Sequence, residues 1–212
     1  TEIYTLSLHD ALPISTLQWN NSMDLSIHSH IESLTINDFT RYISSLSLTW
    51  PLMSLKRLDI NECCFNGLNQ FLIEGLNELE SVIIGGRSFF IDDEEEEGSR
   101  LVIMNCDKLK EIKIGDVSFE QYKEFVFKNL SSLQSMKIGF NSCRWYHSIV
   151  FESENDWLND DSDLPQLQSI ELDYCSFQGD LAADELNSLI MKGIDDNDIE
   201  WLDLPSLTEL HI

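Results

Sequence analysis

Basic residues are scarce in this chain: 13 Lys and Arg stand against 38 Asp and Glu, a formal charge of −25 over 212 residues. A surface of that sign is unsuited to non-specific nucleic-acid binding, which needs clustered cations against phosphate. No apolar run reaches the roughly 18 residues that a membrane helix requires. No CxxC pair, GxSxG elbow, phosphate-binding loop, HExxH helix or dinucleotide fingerprint occurs either, so no catalytic, cofactor or metal residue is assigned. What remains plentiful is apolar: 42% of the residues are hydrophobic, enough to bury the core of one large domain or two small ones.

The first fourteen residues, TEIYTLSLHDALPI, fit no clear apolar period, and they are similar to the translation of a common sequencing adapter. The likeness implies that residues 1–14 are a non-native segment, to be set aside as a fusion scar would be. Setting aside Glu2 and Asp10 moves the formal charge only from −25 to −23. The authentic chain is then 15–212, and it stops within a recurring phrase. The expectation is an internal fragment, truncated at both ends.

That phrase is the main feature of the chain. It reads Leu55-x-x-Leu58-x-Ile60, Leu79-x-x-Val82-x-Ile84, Leu109-x-x-Ile112-x-Ile114, Leu133-x-x-Met136-x-Ile138, Leu167-x-x-Ile170-x-Leu172 and Leu207-x-x-Leu210-x-Ile212, with a weaker copy at Ile31-x-x-Leu34-x-Ile36. Its starts lie 24, 24, 30, 24, 34 and 40 residues apart. Ten residues after the starts stand Phe65, Phe89, Phe119, Cys143 and Phe177, usually preceded by Ser; three residues before them stand Leu or Cys. Alternation with period two marks a short strand with one face inward. Phe71-x-Ile73, Leu101-x-Ile103 and Phe125-x-Phe127 form a second alternating row. No single repeat can bury its own apolar face, so neighbouring repeats must stack into a continuous core. Gly85, Gly115 and Gly139 end the phrase, where a turn with positive φ is expected. Gly75, Asn105 and Asn129 suit the turn between the two strand rows.

The phrase followed by Cys, at Leu55–Cys63 and Leu167–Cys175, resembles the leucine-rich repeat. The longer pattern FxIxxLxxLxxIxIGxxSF is similar to the BspA-like subclass of bacterial and protist surface proteins. The likeness covers about residues 23–212. The fold expected is mainly β: a leucine-rich-repeat solenoid with a curved parallel sheet, a second row of short strands and few short helices.

Acidic stretches fill the long spacings: Asp92–Glu97, Glu152–Asp163 and Asp195–Glu200. The runs at 92–97 and 152–163 both follow the Phe/Cys position, so they are expected to leave the coil on the same rim. Such loops either attract a basic partner or cations, or keep an edge-exposed solenoid soluble; solubility is the favoured reading. Within the last spacing, Leu186, Leu189 and Ile190 have helical spacing between Asp180 and Gly193, which predicts a short helix over 181–192. Cys63, Cys106, Cys143 and Cys175 fall on repeat positions and are expected to be buried reduced thiols. His28 and His30 offer two nitrogens from one strand without a third ligand, so no metal is expected there.

The function expected is a non-enzymatic interaction scaffold that presents a repeat surface to a protein or glycan, with no nucleic acid and no membrane span. The outward strand positions would carry it. Arg57, Ser81, Glu111, Ser135 and Ser169 form one row, and Asp59, Ile83, Lys113, Lys137 and Glu171 the next. Both rows mix charge, polarity and apolar surface, which suits a protein or glycan better than a phosphate backbone. Leucine-rich repeats are also joined to catalytic modules, so the alternative is the recognition fragment of a larger enzyme or signalling protein.

Overall fold

The computed structural model describes residues 16–19, 29–37, 44–91, 98–143, 148–152, 169–172, 188–191 and 209–211. Among them are fourteen strands and no helix. Nine strands form one parallel sheet: β1 (Thr16–Trp19), β2 (Ser33–Ile36), β4 (Arg57–Ile60), β6 (Ser81–Ile84), β8 (Glu111–Ile114), β10 (Ser135–Ile138), β12 (Ser169–Leu172), β13 (Ser188–Met191) and β14 (Glu209–His211), paired in that order. The other five form a second parallel sheet: β3 (Ser45–Leu48), β5 (Gln70–Glu74), β7 (Arg100–Met104), β9 (Glu124–Lys128) and β11 (Ser148–Glu152). The chain alternates between the sheets from β2 to β12, and the result is a β-solenoid.

Strand length and burial follow from the phrase. Each first-sheet strand is four residues long from β2 to β12, just enough to span Leu-x-Ile and its outward neighbours. Equivalent residues pair directly: Leu34 with Leu58, Leu58 with Val82, Val82 with Ile112, Ile112 with Met136 and Met136 with Ile170. All six are buried, as are Ile36, Ile60, Ile84, Ile114 and Ile138 two positions along each strand. The second sheet faces them with Phe71, Ile73, Leu101, Ile103, Phe125 and Phe127, also buried. Each such side chain contributes roughly 1.5–3 kcal/mol by leaving water.

The turn from first to second sheet holds the coils in step. Phe65, Phe89 and Phe119 stack through it, with ring centroids 5.2 and 4.4 Å apart, and Tyr122 meets Phe119 edge-on at 4.8 Å. Cys143 takes the next place in that series. Phe65, Phe89, Phe119 and Cys143 all have φ between 54 and 59°, a left-handed conformation that costs a bulky residue energy. Buried ring contacts offset it. Beside the rings runs a ladder of buried hydroxyls. The backbone N–H groups of Cys64, Ser88 and Ser118 donate to the Oγ of Ser88, Ser118 and Ser142 at 3.1–3.2 Å. Those hydroxyls donate in turn to the carbonyls of Asn61, Gly85 and Gly115 at 3.0, 2.9 and 2.7 Å. Each serine thus satisfies two backbone groups of the preceding coil that would otherwise be buried unpaired.

The glycines that close the phrase serve a different purpose from the one expected. Gly85, Gly115 and Gly139 are not among the positive-φ residues; among the described glycines those are Gly67, Gly75 and Gly98. A Cβ on Gly115 would stand 2.6 Å from the Gly86 nitrogen, and one on Gly85 would stand 2.5 Å from the Glu62 nitrogen. Close packing of backbone on backbone, not backbone dihedral, requires them. The opposite turn matches expectation: Gly75, Asn105 and Asn129 have φ of 69, 55 and 53°. Asn129 also donates from Nδ2 to Asn105 Oδ1 at 2.7 Å, which accounts for it as a repeat residue.

The helix over 181–192 gives way, at its carboxyl end, to strand β13, where Ser188–Met191 pairs between β12 and β14; positions 181–187 and 192 lie outside the described residues. Leu186-x-x-Leu189-x-Met191 is itself a copy of the phrase, and pairing with flanking strands overrides a helical spacing of three residues. The 40-residue spacing is therefore two short coils, since Ile170 pairs Leu189 and Leu189 pairs Leu210. At the other end, Leu17 pairs Leu34 only 17 positions on, a coil too short for a search at 24 to find. Residues 1–14 lie outside the described residues.

The acidic runs fall in different kinds of connection along the chain. The 92–97 run interrupts the β6–β7 connection, from the first sheet to the second, whereas 153–163 falls in the β11–β12 connection, from the second back to the first. The premise that both runs precede a second-sheet strand therefore fails for 153–163, which follows β11. The runs themselves lie outside the described residues, as does 195–200.

Candidate interaction surface

Strand pairing brings together the two outward rows. Arg57, Ser81, Glu111, Ser135 and Ser169 are successive partners across β4, β6, β8, β10 and β12. Asp59, Ile83, Lys113, Lys137 and Glu171 are successive partners in the same strands. Ser33 and Thr35 of β2 extend both rows by one strand. Arg57 and Lys137 are exposed, while Asp59, Ser81, Ile83, Glu111, Lys113 and Ser135 are half-buried among their neighbours.

The charges in these rows are largely turned on one another. Arg57 Nε donates to Asp59 Oδ2 at 2.6 Å, and Lys113 Nζ stands 2.6 Å from Glu111 Oε1. The Asp59 hydrogen bond, and then its charge, raise the Arg57 guanidinium further above its ordinary value. Both pairs link residues two apart on one strand and are open to water, so each stabilises the fold little. A second set of ions follows the rim of the turn into the first sheet: Lys56 meets Glu32 at 3.2 Å, Lys110 meets Glu80 at 3.1 Å and Lys108 meets Glu78 at 2.7 Å. The Glu78 partner, first by its hydrogen bond, raises the Lys108 ammonium.

The rows end in a groove at the carboxyl edge of β2, β4 and β6, lined by Thr35, Asn37, Asp59, Asn61, Glu62 and Ile83. Asn61 Nδ2 donates to Asn37 Oδ1 across its floor. Asn37, Asn61 and Glu62 were missed from sequence. The signal was present: Asn37 and Asn61 stand at the phrase position that Gly85, Gly115 and Gly139 occupy later.

The cysteines divide. Cys106 and Cys143 are buried as expected, but Cys63 is half-buried in the turn at φ 60°, and its neighbour Cys64 is the buried one, in the place the serine ladder takes elsewhere. The turn reaches its inward position one residue later than the repeat-matched Cys63, because Phe65 must enter the ring stack. Cys175 lies outside the described residues. Burial pushes the Cys106 thiol up to about 11 and raises that of Cys143 well above its ordinary value. Brief alkylation at pH 8 followed by peptide mapping should therefore label Cys63 and spare Cys64, Cys106 and Cys143 until the protein unfolds. The thiols of Cys106 and Cys143 should also weaken the fold in alkali. They ionise near 9.0 in the unfolded chain but stay protonated when folded, so unfolding releases protons; stability present below pH 9 is lost as pH rises toward about 11. A denaturation midpoint that rises between pH 9 and 11 would contradict this.

Among the described residues no group of three His, Cys, Asp or Glu gathers as a metal site, and His30 is exposed; His28 lies outside them. No helix among them is long and apolar enough to cross a membrane. Compared with family models, curated proteins and solved structures, the chain matches none.

Proposed function

We propose that the chain is a non-enzymatic, leucine-rich-repeat-like scaffold whose first-sheet face binds a protein or glycan. One observation carries the reading: strand pairing places side chains of mixed chemistry in two continuous outward rows, at a fixed interval, on a frame whose inward residues are uniformly apolar. Such a frame tolerates any outward residue without loss of core, which is what a recognition surface needs. Two features favour binding over catalysis. Arg57 and Lys113 are engaged by Asp59 and Glu111, and the face is open to water, where electrostatic stabilisation of a reacting group is weak. The negative charge of the chain disfavours a nucleic-acid ligand.

The test is an array of purified glycans and proteins probed with the parent and with an Ile83→Glu, Lys113→Glu, Lys137→Glu variant. These positions face outward, so circular dichroism should be unchanged, while the carboxylates now adjacent along the row should lower the melting temperature modestly. Array signals should fall at least about tenfold, as expected when central contacts of an interface are reversed. Equal signals from both proteins would place the contact elsewhere.

A further inference from the structure

The outer face of the second sheet differs from that of the first. Its central outward row is Leu72, Val102, Val126 and Val150, direct partners across β5, β7, β9 and β11. All four are only half-buried, although each stands at the middle of a five-residue strand. Alternation requires no apolar residue there, since the inward places are already filled by Phe71, Ile73, Leu101, Ile103, Phe125 and Phe127. Gln70, Arg100 and Glu124 flank the stripe on one side, and Glu74, Met104 and Lys128 on the other, five of the six being polar or charged.

We propose that this stripe is covered by a second copy of the chain, face to face, about a two-fold axis parallel to the solenoid axis. Such an axis exchanges the two flanks while leaving each coil opposite its own copy. The apolar row then lies on itself, Val102 against Val102 and Val126 against Val126. The flanks prove complementary under that exchange. Glu124 comes opposite Lys128 of the second copy, twice by symmetry; Arg100 comes opposite Met104, and Gln70 opposite Glu74. No like charges meet in these coils. An axis perpendicular to this one through β7 or β9 would set Arg100 against Arg100 or Glu124 against Glu124, and one midway between them would set Glu74 against Glu152, so only the parallel axis keeps like charges apart. Four strands of five residues and one of four, ~4.8 Å apart, give a planar footprint of roughly 400 Å² on each copy. The two faces together come to about 800 Å², below the ~1,200 Å² at which stable interfaces begin, so the dimer should be weak and transient, half-dissociated at tens of micromolar.

Sedimentation velocity over a concentration series tests the proposal. The parent should pass from monomer to dimer, and Val102→Lys should raise the dissociation constant at least about tenfold with unchanged circular dichroism. A second set guards against misfolding of that variant. Glu124→Lys and Lys128→Glu should each weaken the dimer by setting like charges opposite one another, while the double variant should restore it. A parent that remains monomeric at about 100 µM overturns the proposal, being beyond the range this footprint implies. So does a dimer indifferent to Val102→Lys, or single charge reversals that the double variant does not rescue.

Discussion

Replacing Ile114 by Asp is expected to unfold the centre of the solenoid. Ile114 is 2% exposed and sits between Ile84 and Ile138 in an unbroken apolar row. Among the described residues no buried cation could meet a carboxylate there, and the site cannot be hydrated without opening the sheets. The loss should exceed about 4 kcal/mol, at the extreme of single substitutions. Because each coil is stabilised chiefly by its neighbours, the damage should spread to both sides rather than remain at β8. The adjacent Lys113 supplies the control: it faces outward, so Lys113→Asp should cost under about 1 kcal/mol, the worth of its exposed pair with Glu111. Urea denaturation of the two variants side by side gives the comparison. An Ile114→Asp protein that melts like the parent would remove the inward assignment of the row.

The second large effect is expected at Gly115, and it separates two reasons for which a chain keeps glycine. Gly115→Ala would set a methyl group 2.6 Å from the Gly86 nitrogen and 2.9 Å from the Gly85 carbonyl carbon. Those are backbone atoms held by the β6–β8 pairing, and the serine ladder ties Gly85 and Gly115 to the hydroxyls of Ser118 and Ser142. Relief requires the coils to separate, so a cost of about 3 kcal/mol is expected. Gly75 is the counter-case: its φ is 69°, but a Cβ there meets nothing within 4 Å. Gly75→Ala should cost only about 1 kcal/mol, and Gly75→Asn less, since Asn105 and Asn129 hold the equivalent turns. Equal destabilisation at Gly75 and Gly115 would argue against backbone proximity as the cause.

The contrast between those glycines also shows which features are legible in the sequence. Period-two alternation in Leu58-x-Ile60 and Phe71-x-Ile73 is a local property, so both strand rows, their inward residues and the outward rows are readable from the order of residues alone. Distances between coils are not local. The purpose of Gly85 and Gly115 lies in a neighbour 24 or 30 residues away, and glycine in isolation suggests a turn rather than a contact. The serine ladder is visible only as Ser before Phe; the donors and acceptors that make it matter belong to other coils. β13 is obscured for the opposite reason. Leu186 and Leu189 satisfy a helical spacing with Ile190 and the phrase with Met191, and only the presence of β12 and β14 on either side decides between them. On the candidate surface, the two rows are readable as rows, whereas the groove formed by Asn37, Asn61 and Glu62 depends on side chains meeting across strands.

The serine ladder and the ring stack have a consequence for how such a chain can change length. Every coil from β4 to β10 carries its own hydroxyl or thiol, its own stacked ring or Cys143, and its own inward pair, each addressed to the coil before and the coil after. Removing residues 112–135 would join Glu111 to Met136 and rebuild Glu-x-Lys-Ile-Gly as it stands at 111–115. Removing a single residue from a strand would instead turn its inward side chains outward. The unit of growth or loss is therefore the whole coil, and the exposed rows lengthen or shorten with it in steps of ~4.8 Å. What the fold holds constant is pitch; what it leaves open to inheritance is the number of steps.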